Sequence, residues 1–194
     1  DVDAAVSSAK HALEQYQSRF AHHYAQAMRA KLGLQSRHEE DQDILQDLLE
    51  LMAEDKVDYT ILFRRLCDFS PRDSDCNDSI RDLFIQRDKF DQWALRYSKR
   101  LSAEQDSDAQ RAARMRRINP AYVLRNYMAE TAIRLAEDEQ DYTEVDRLLS
   151  LLQNPYDEQP GLVLAGLGVG VDLGALGHVQ HILDREGVQA VLPR

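Results

Sequence analysis

Through the first 158 residues, apolar side chains recur at steps of three and four, and no sustained alternation at steps of two occurs before residue 160. The first spacing lines one face of a helix; the second would line one face of a strand. The chain is therefore expected to be all-α, an irregular helical bundle. Its longest stripe is Val6, Ala9, Leu13, Tyr16, Phe20, Tyr24, Ala27 and Met28, and Gly33 after Lys31-Leu32 suits a helix C-cap with a base in the last turn. A second helix is expected to bury Ile44, Leu45, Leu48, Leu49 and Met52. The acids Glu39, Glu40, Asp41 and Asp43 stand at its start, where the helix dipole favours negative charge. Asp58 is the expected N-cap of a third helix carrying Ile61, Leu62, Leu66 and Phe69.

Residues 70–79 have loop composition, and short helices are expected over 80–85, 90–101 and 109–118. Asn119-Pro120 is the clearest punctuation: Asn is a strong N-cap, and Pro fits the first helical position, where no N–H is needed. A helix is expected from there to about Glu137, with Leu124, Tyr127, Met128, Thr131, Ala132 and Leu135 on its face. The last helix, about Thr143 to Leu152, stops at Asn154-Pro155. No fixed-period repeat supports a solenoid. Beyond Pro160 the composition changes, with seven of the eight glycines and only five charged side chains in residues 161–194. The chain divides into a helical region, 1–160, and a glycine-rich tail, 161–194.

The net charge of −10 disfavours DNA, RNA and anionic membranes as partners. The charge is uneven: Arg37 to Asp58 holds nine acids against two bases, and Lys99 to Arg117 holds six bases against three acids. Cys67 and Cys76 are too few for a secreted disulfide framework, and no Cys/His group has zinc spacing. The start, Asp1-Val2-Asp3, is acidic and has no apolar leader core. The glycine-rich stretch 161–183 is interrupted by Asp172 and two histidines, which argues against a bilayer span. These features together suggest a reducing cytoplasm or an organelle matrix.

Asn119-Pro-Ala-Tyr-Val-Leu-Arg-Asn-Tyr-Met-Ala-Glu-Thr-Ala-Ile133, followed by Pro155-Tyr-Asp-Glu-Gln-Pro160, resembles the C-terminal hallmarks of the SelO-type protein adenylyltransferases, the YdiU/selenoprotein O family. Met28-Arg-Ala-Lys-Leu-Gly-Leu34, Leu48-Leu-Glu-Leu-Met52, Asp58-Tyr-Thr60 and Phe63-Arg64 are similar to upstream motifs of the same family. The resemblance covers residues 10–160. It implies the C-terminal helical part of a protein-kinase-like (pseudokinase) fold. The implied activity is AMPylation, the transfer of AMP from ATP to Ser, Thr or Tyr hydroxyls of client proteins, with a divalent metal such as magnesium. It also implies an upstream kinase-like core as the chain's partner, with the ATP and metal ligands in that core. The implied compartment is bacterial cytoplasm, or mitochondrial matrix in a eukaryote. The tail departs from the family pattern and lacks its terminal cysteine, so the expectation is a flexible or non-native terminus with no redox role.

No catalytic, cofactor-binding or metal-binding residue is assigned to this chain. Gly166, Gly168 and Gly170 lack the third glycine of a dinucleotide loop, because Val171 stands at that position. Arg111, Arg114, Arg116 and Arg117 could form an anion site, but a solvated helix face, some of it paired with the acids of 104–108, is favoured. His22 and His23 point to different helix faces, and His178 and His181 lack further ligands. Cys67 is expected buried and inert, and Cys76 the more reactive. Arg125 and Asn126, with Asp157 or Glu158 as the carboxylate partner, are expected to form a structural clasp, since a guanidinium fork matches a carboxylate. The alternative to a brace for an enzyme is a non-enzymatic helical scaffold or protein-interaction module.

Overall fold

The computed structural model describes residues 2–73 and 75–159. The tail expected over 161–194, with His178 and His181, lies outside the described residues. Eight α-helices occur in order: α1 (Val2–Lys31), α2 (Asp41–Asp55), α3 (Tyr59–Arg65), α4 (Asp78–Arg81), α5 (Arg87–Leu101), α6 (Asp108–Arg116), α7 (Asn126–Asp138) and α8 (Thr143–Gln153). Two 3-10 turns, Leu66–Asp68 and Asp75–Asn77, complete the set, and no strand occurs among the described residues. The fold is all-α, as the periodicity requires.

The main core gathers Leu32, Leu48, Met52, Leu62, Phe63, Leu66, Ile80, Phe90, Tyr97 and Met115, each nearly or fully removed from solvent. α5 supplies its centre. Phe90, Trp93 and Tyr97 follow at steps of three and four; Trp93 stacks on Tyr97 with centroids 4.8 Å apart, and Phe90 meets Trp93 at a tilt with centroids 5.8 Å apart. Each polar tip finds a backbone acceptor: Trp93 Nε1 donates to the Ile44 carbonyl at 2.8 Å and Tyr97 Oη to the Leu32 carbonyl at 2.6 Å. These bonds remove the penalty that a buried donor without a partner would carry. Behind them, Arg100 is sealed from solvent, donating from Nε to Asp41 at 2.6 Å and from Nη2 to the Ser36 carbonyl at 2.8 Å. Glu104 lies 2.8 Å from Arg100 Nη1 and also accepts from the Ser36 hydroxyl, so the loop before α2 is fixed to α5.

α1 ends in a Schellman cap. Leu34 N–H donates to the Arg29 carbonyl and Gly33 N–H to the Ala30 carbonyl, with Gly33 at φ +73°. Asp58 caps α3 by accepting from Ile61 N–H at 2.9 Å. α6 starts on a capping box of Ser107 and Gln110 that the periodicity did not disclose. α7 and α8 pack on each other around a small second core of Met128, Ala132 and Leu148.

Two sequence expectations need correction. The helix expected over 80–85 ends at Arg81. The helix expected to begin on Asn119-Pro120 begins at Asn126 instead, and Arg125 before it is extended. Asn119 does not cap, because its side chain is fully buried and bonded to Lys31, and the Ala121 and Tyr122 N–H groups donate to the Pro155 carbonyl at 2.8 and 3.2 Å. The restriction that Pro120 places on Asn119 favours the same extended course.

Candidate functional site: a polar clasp between distant segments

The residues that stood out in the sequence converge where the end of α1, α3, the 117–125 linker and the 155–159 strap meet. Asn119 is its centre. Its Nδ2 donates to the Lys31 carbonyl at 2.9 Å, one of the carbonyls left open at the end of α1. Its Oδ1 accepts from Lys31 Nζ at 3.3 Å. The same ammonium sits 5.5 Å from the ring centroids of both Tyr59 and Phe63, within cation–π range. Burial holds the Lys31 pKa below its ordinary value, against the opposing influence of Cys67. Burial also pushes Tyr59 up to about 12, so its hydroxyl stays protonated and donates to Met28 Sδ.

Arg64 ties the linker to the strap. Nη1 donates to the carbonyls of Arg116 and Asn119 at 3.1 and 3.0 Å. Nη2 donates to the Tyr156 carbonyl at 3.1 Å and to Glu158 Oε1 at 2.5 Å. Gln159 finishes the strap: its N–H donates to Tyr122 Oη at 3.0 Å, and its Nε2 donates to the Leu151 and Asn154 carbonyls, closing the C-terminal end of α8.

Arg125 pairs with Asp58 at 2.6 Å, and not with Asp157 or Glu158 as expected. The reason is geometric. Asp58 already faces inward as the cap of α3, with one oxygen on Ile61 N–H and the other free for Arg125. Glu158 is held by Arg64, a residue that the upstream motif contained and sequence reasoning left without a role. Asp157 is exposed, its N–H on the Asn154 carbonyl, and Asn126 is exposed at the first turn of α7. Asn119, Arg64 and Glu158 therefore share one network, Arg125 pairs separately with the cap of α3, and Asn126 and Asp157 stay exposed.

Cys67 lies against this network, with Asn119 Nδ2 3.8 Å from its Sγ. Burial pushes its thiol pKa up, against the pull of Asn119 and Arg64, so it stays an inert thiol. Cys76 is exposed, but its S–H donates to Asp73 at 3.1 Å, and that bond raises its pKa too. Exposure alone does not make it the thiolate that reactivity needs.

The basic cluster does not form an open anion cradle. Arg111 donates to the Phe69 carbonyl and to Asp108, Arg114 to Asp106 and the Gly33 carbonyl, and Arg116 to Asp68. Terminal guanidinium nitrogens of Arg111, Arg114 and Arg116 are thus bonded within the fold, while Arg111 Nε is buried without a partner and Arg117 is exposed. Among the described residues, no group of three or more His, Cys, Asp or Glu could hold a metal ion. An open groove of about 420 Å³ between α2 and α5 is crossed by the pairs Lys89–Glu54 and Arg96–Asp47, which neutralise one another. No helix among the described residues is long and apolar enough to cross a membrane.

Residues 4–153 match the family described as "Protein adenylyltransferase SelO". The protein nucleotidyltransferase YdiU of Burkholderia ambifaria is 48% identical over 158 residues, 81% of this chain and 30% of the relative. The protein of the same name from Cupriavidus metallidurans is 46% identical over 157 residues, 81% of this chain and 29% of the relative. The chain thus spans about 30% of the length of the curated relatives it matches.

Proposed function

This chain belongs to the SelO family of protein adenylyltransferases, and we propose that within such a protein it is the helical brace of a kinase-like catalytic core. The core lies upstream, binds ATP and a divalent metal such as magnesium, and transfers AMP to Ser, Thr or Tyr hydroxyls of client proteins. The ATP and metal ligands lie outside this chain, in a soluble protein of the cytoplasm or the mitochondrial matrix.

One observation carries this reading. Asn119, Tyr122, Arg125, Glu158 and Gln159 of the two hallmark segments bond one another, α1, α3 or α8, where they close helix ends and join segments up to 94 residues apart. Groups placed to handle a substrate would instead converge on a cleft. Calorimetric titration with ATP and magnesium tests the proposal, run on this chain and on the full-length protein. Heat of binding from the full-length protein alone is the expected result, together with transfer of labelled AMP to a protein hydroxyl. Micromolar binding by this chain would overturn it.

A further inference from the structure

α1 carries a stripe that the other described residues do not cover. Every residue from Val2 to Ala27 is exposed, although Val6, Leu13, Tyr16, Phe20 and Tyr24 share one helical face. Tyr16, Phe20 and Tyr24 form a stacked ladder, with consecutive centroids 6.0 Å apart and nearly parallel planes. The stripe continues without a break into the core, because Met28 and Leu32 follow Tyr24 at steps of four and are both buried. One end of a single apolar face is therefore inside the molecule, and the other end stands in water.

We infer that the Val6–Tyr24 face of α1 docks on the part of the full-length protein that lies outside this chain, in an intramolecular contact. The inference rests on the chain being one part of a longer family member. Two observations identify the occupant. The family match begins at residue 4, so the stripe lies within the region that the family shares with this chain. The aligned 158 residues are 30% of the relative, so more than twice as much chain lies outside the match as inside it. Most of a helix's stability in a protein comes from tertiary packing of its apolar face, and an exposed apolar face of this length marks an interaction surface.

Hydrogen exchange on the full-length protein tests this directly, with α5 as the internal standard. Amides of residues 13–24 should be protected to within about tenfold of those of 90–101, since both must open buried surface to exchange. The protection should not change on dilution, and sedimentation should show a monomer. Phe20→Glu should lower the melting temperature of the full-length protein by roughly 5 °C or more and abolish protection along residues 13–24, while Phe20→Leu restores both. Free exchange along residues 13–24 in the wild type would overturn the inference. So would protection that appears only with a concentration-dependent dimer, which would make a second copy the occupant. A full-length protein with α1 protected but no AMP transfer would sink the catalytic reading and leave the docking intact. Active protein with α1 freely exchanging would do the reverse.

Discussion

α1 and α5 carry the same kind of apolar pattern and meet opposite fates. In α5, Phe90, Trp93 and Tyr97 are no more than 3% exposed and in ring contact in sequence, and the polar tips of Trp93 and Tyr97 bond to α2 and the end of α1. In α1, the equally spaced Leu13, Tyr16 and Phe20 are 72%, 65% and 51% exposed. Periodicity therefore specifies that a helix has an apolar face. It does not specify what covers that face, because the cover comes from segments far away in sequence or outside this chain.

The largest effect that sharpens the contrast comes from truncating one ring in each helix of this chain. Phe90→Ala should cost about 3–5 kcal/mol in denaturant unfolding, and Phe20→Ala within about 0.5. Equal costs would break the comparison, for they would mean α1 is covered here too. Gly33→Ala tests the join between α1 and the body. A Cβ there would stand 2.6 Å from Met115 Sδ and 2.8 Å from Arg111 Cγ, at a φ of +73°. It should cost about 2–3 kcal/mol, measured as a shift of the urea midpoint. Asn119→Ala leaves the Lys31 carbonyl and Nζ unsatisfied and should cost about 1–3 kcal/mol. Arg125→Ala, next to the buried cap Asp58, should cost about 1–2 kcal/mol, and an unchanged midpoint would show that the pair contributes nothing.

The smallest effect depends on pH. Burial alone would raise the Glu104 pKa, but the hydrogen bonds from Ser36 and Arg100 outweigh it and hold the carboxyl below its ordinary 4.5. A depressed carboxylate contributes stability that is fully present above 4.5 and is lost as pH falls through the folded-state value. Glu104→Gln should therefore flatten the acid limb of the stability profile, read as urea midpoints between about pH 3 and 6. An unchanged acid limb would place that sensitivity elsewhere.

Much of the helical order was legible because it is local. The Gly33 cap, the Asp58 cap and the stripes of α2 and α5 depend on neighbours within a few residues. The clasp was legible only in part. The Arg125 fork suits a carboxylate, but the choice of Asp58 depends on α3 turning its cap inward, 67 residues away. Asn119 was misread because Asn-Pro has two good local solutions. The contact with Lys31, 88 residues earlier, selects the one that is not a helix cap. Arg64 carried no local signal at all: its acceptors are mostly backbone carbonyls, and carbonyls leave no mark in a sequence.

The Schellman cap at Gly33 also makes α1 a lever. The helix is gripped at Met28–Leu34 and extends 26 residues beyond that grip, roughly 39 Å at 1.5 Å per residue. A tilt of about 5° at the grip moves the far end by about 3 Å, close to one side-chain width. Substitutions at Gly33, Met115 or Arg111, none of them on the stripe, should therefore shift where Val6 and Leu13 land, so that alignment of the distant face is set by packing at the fulcrum.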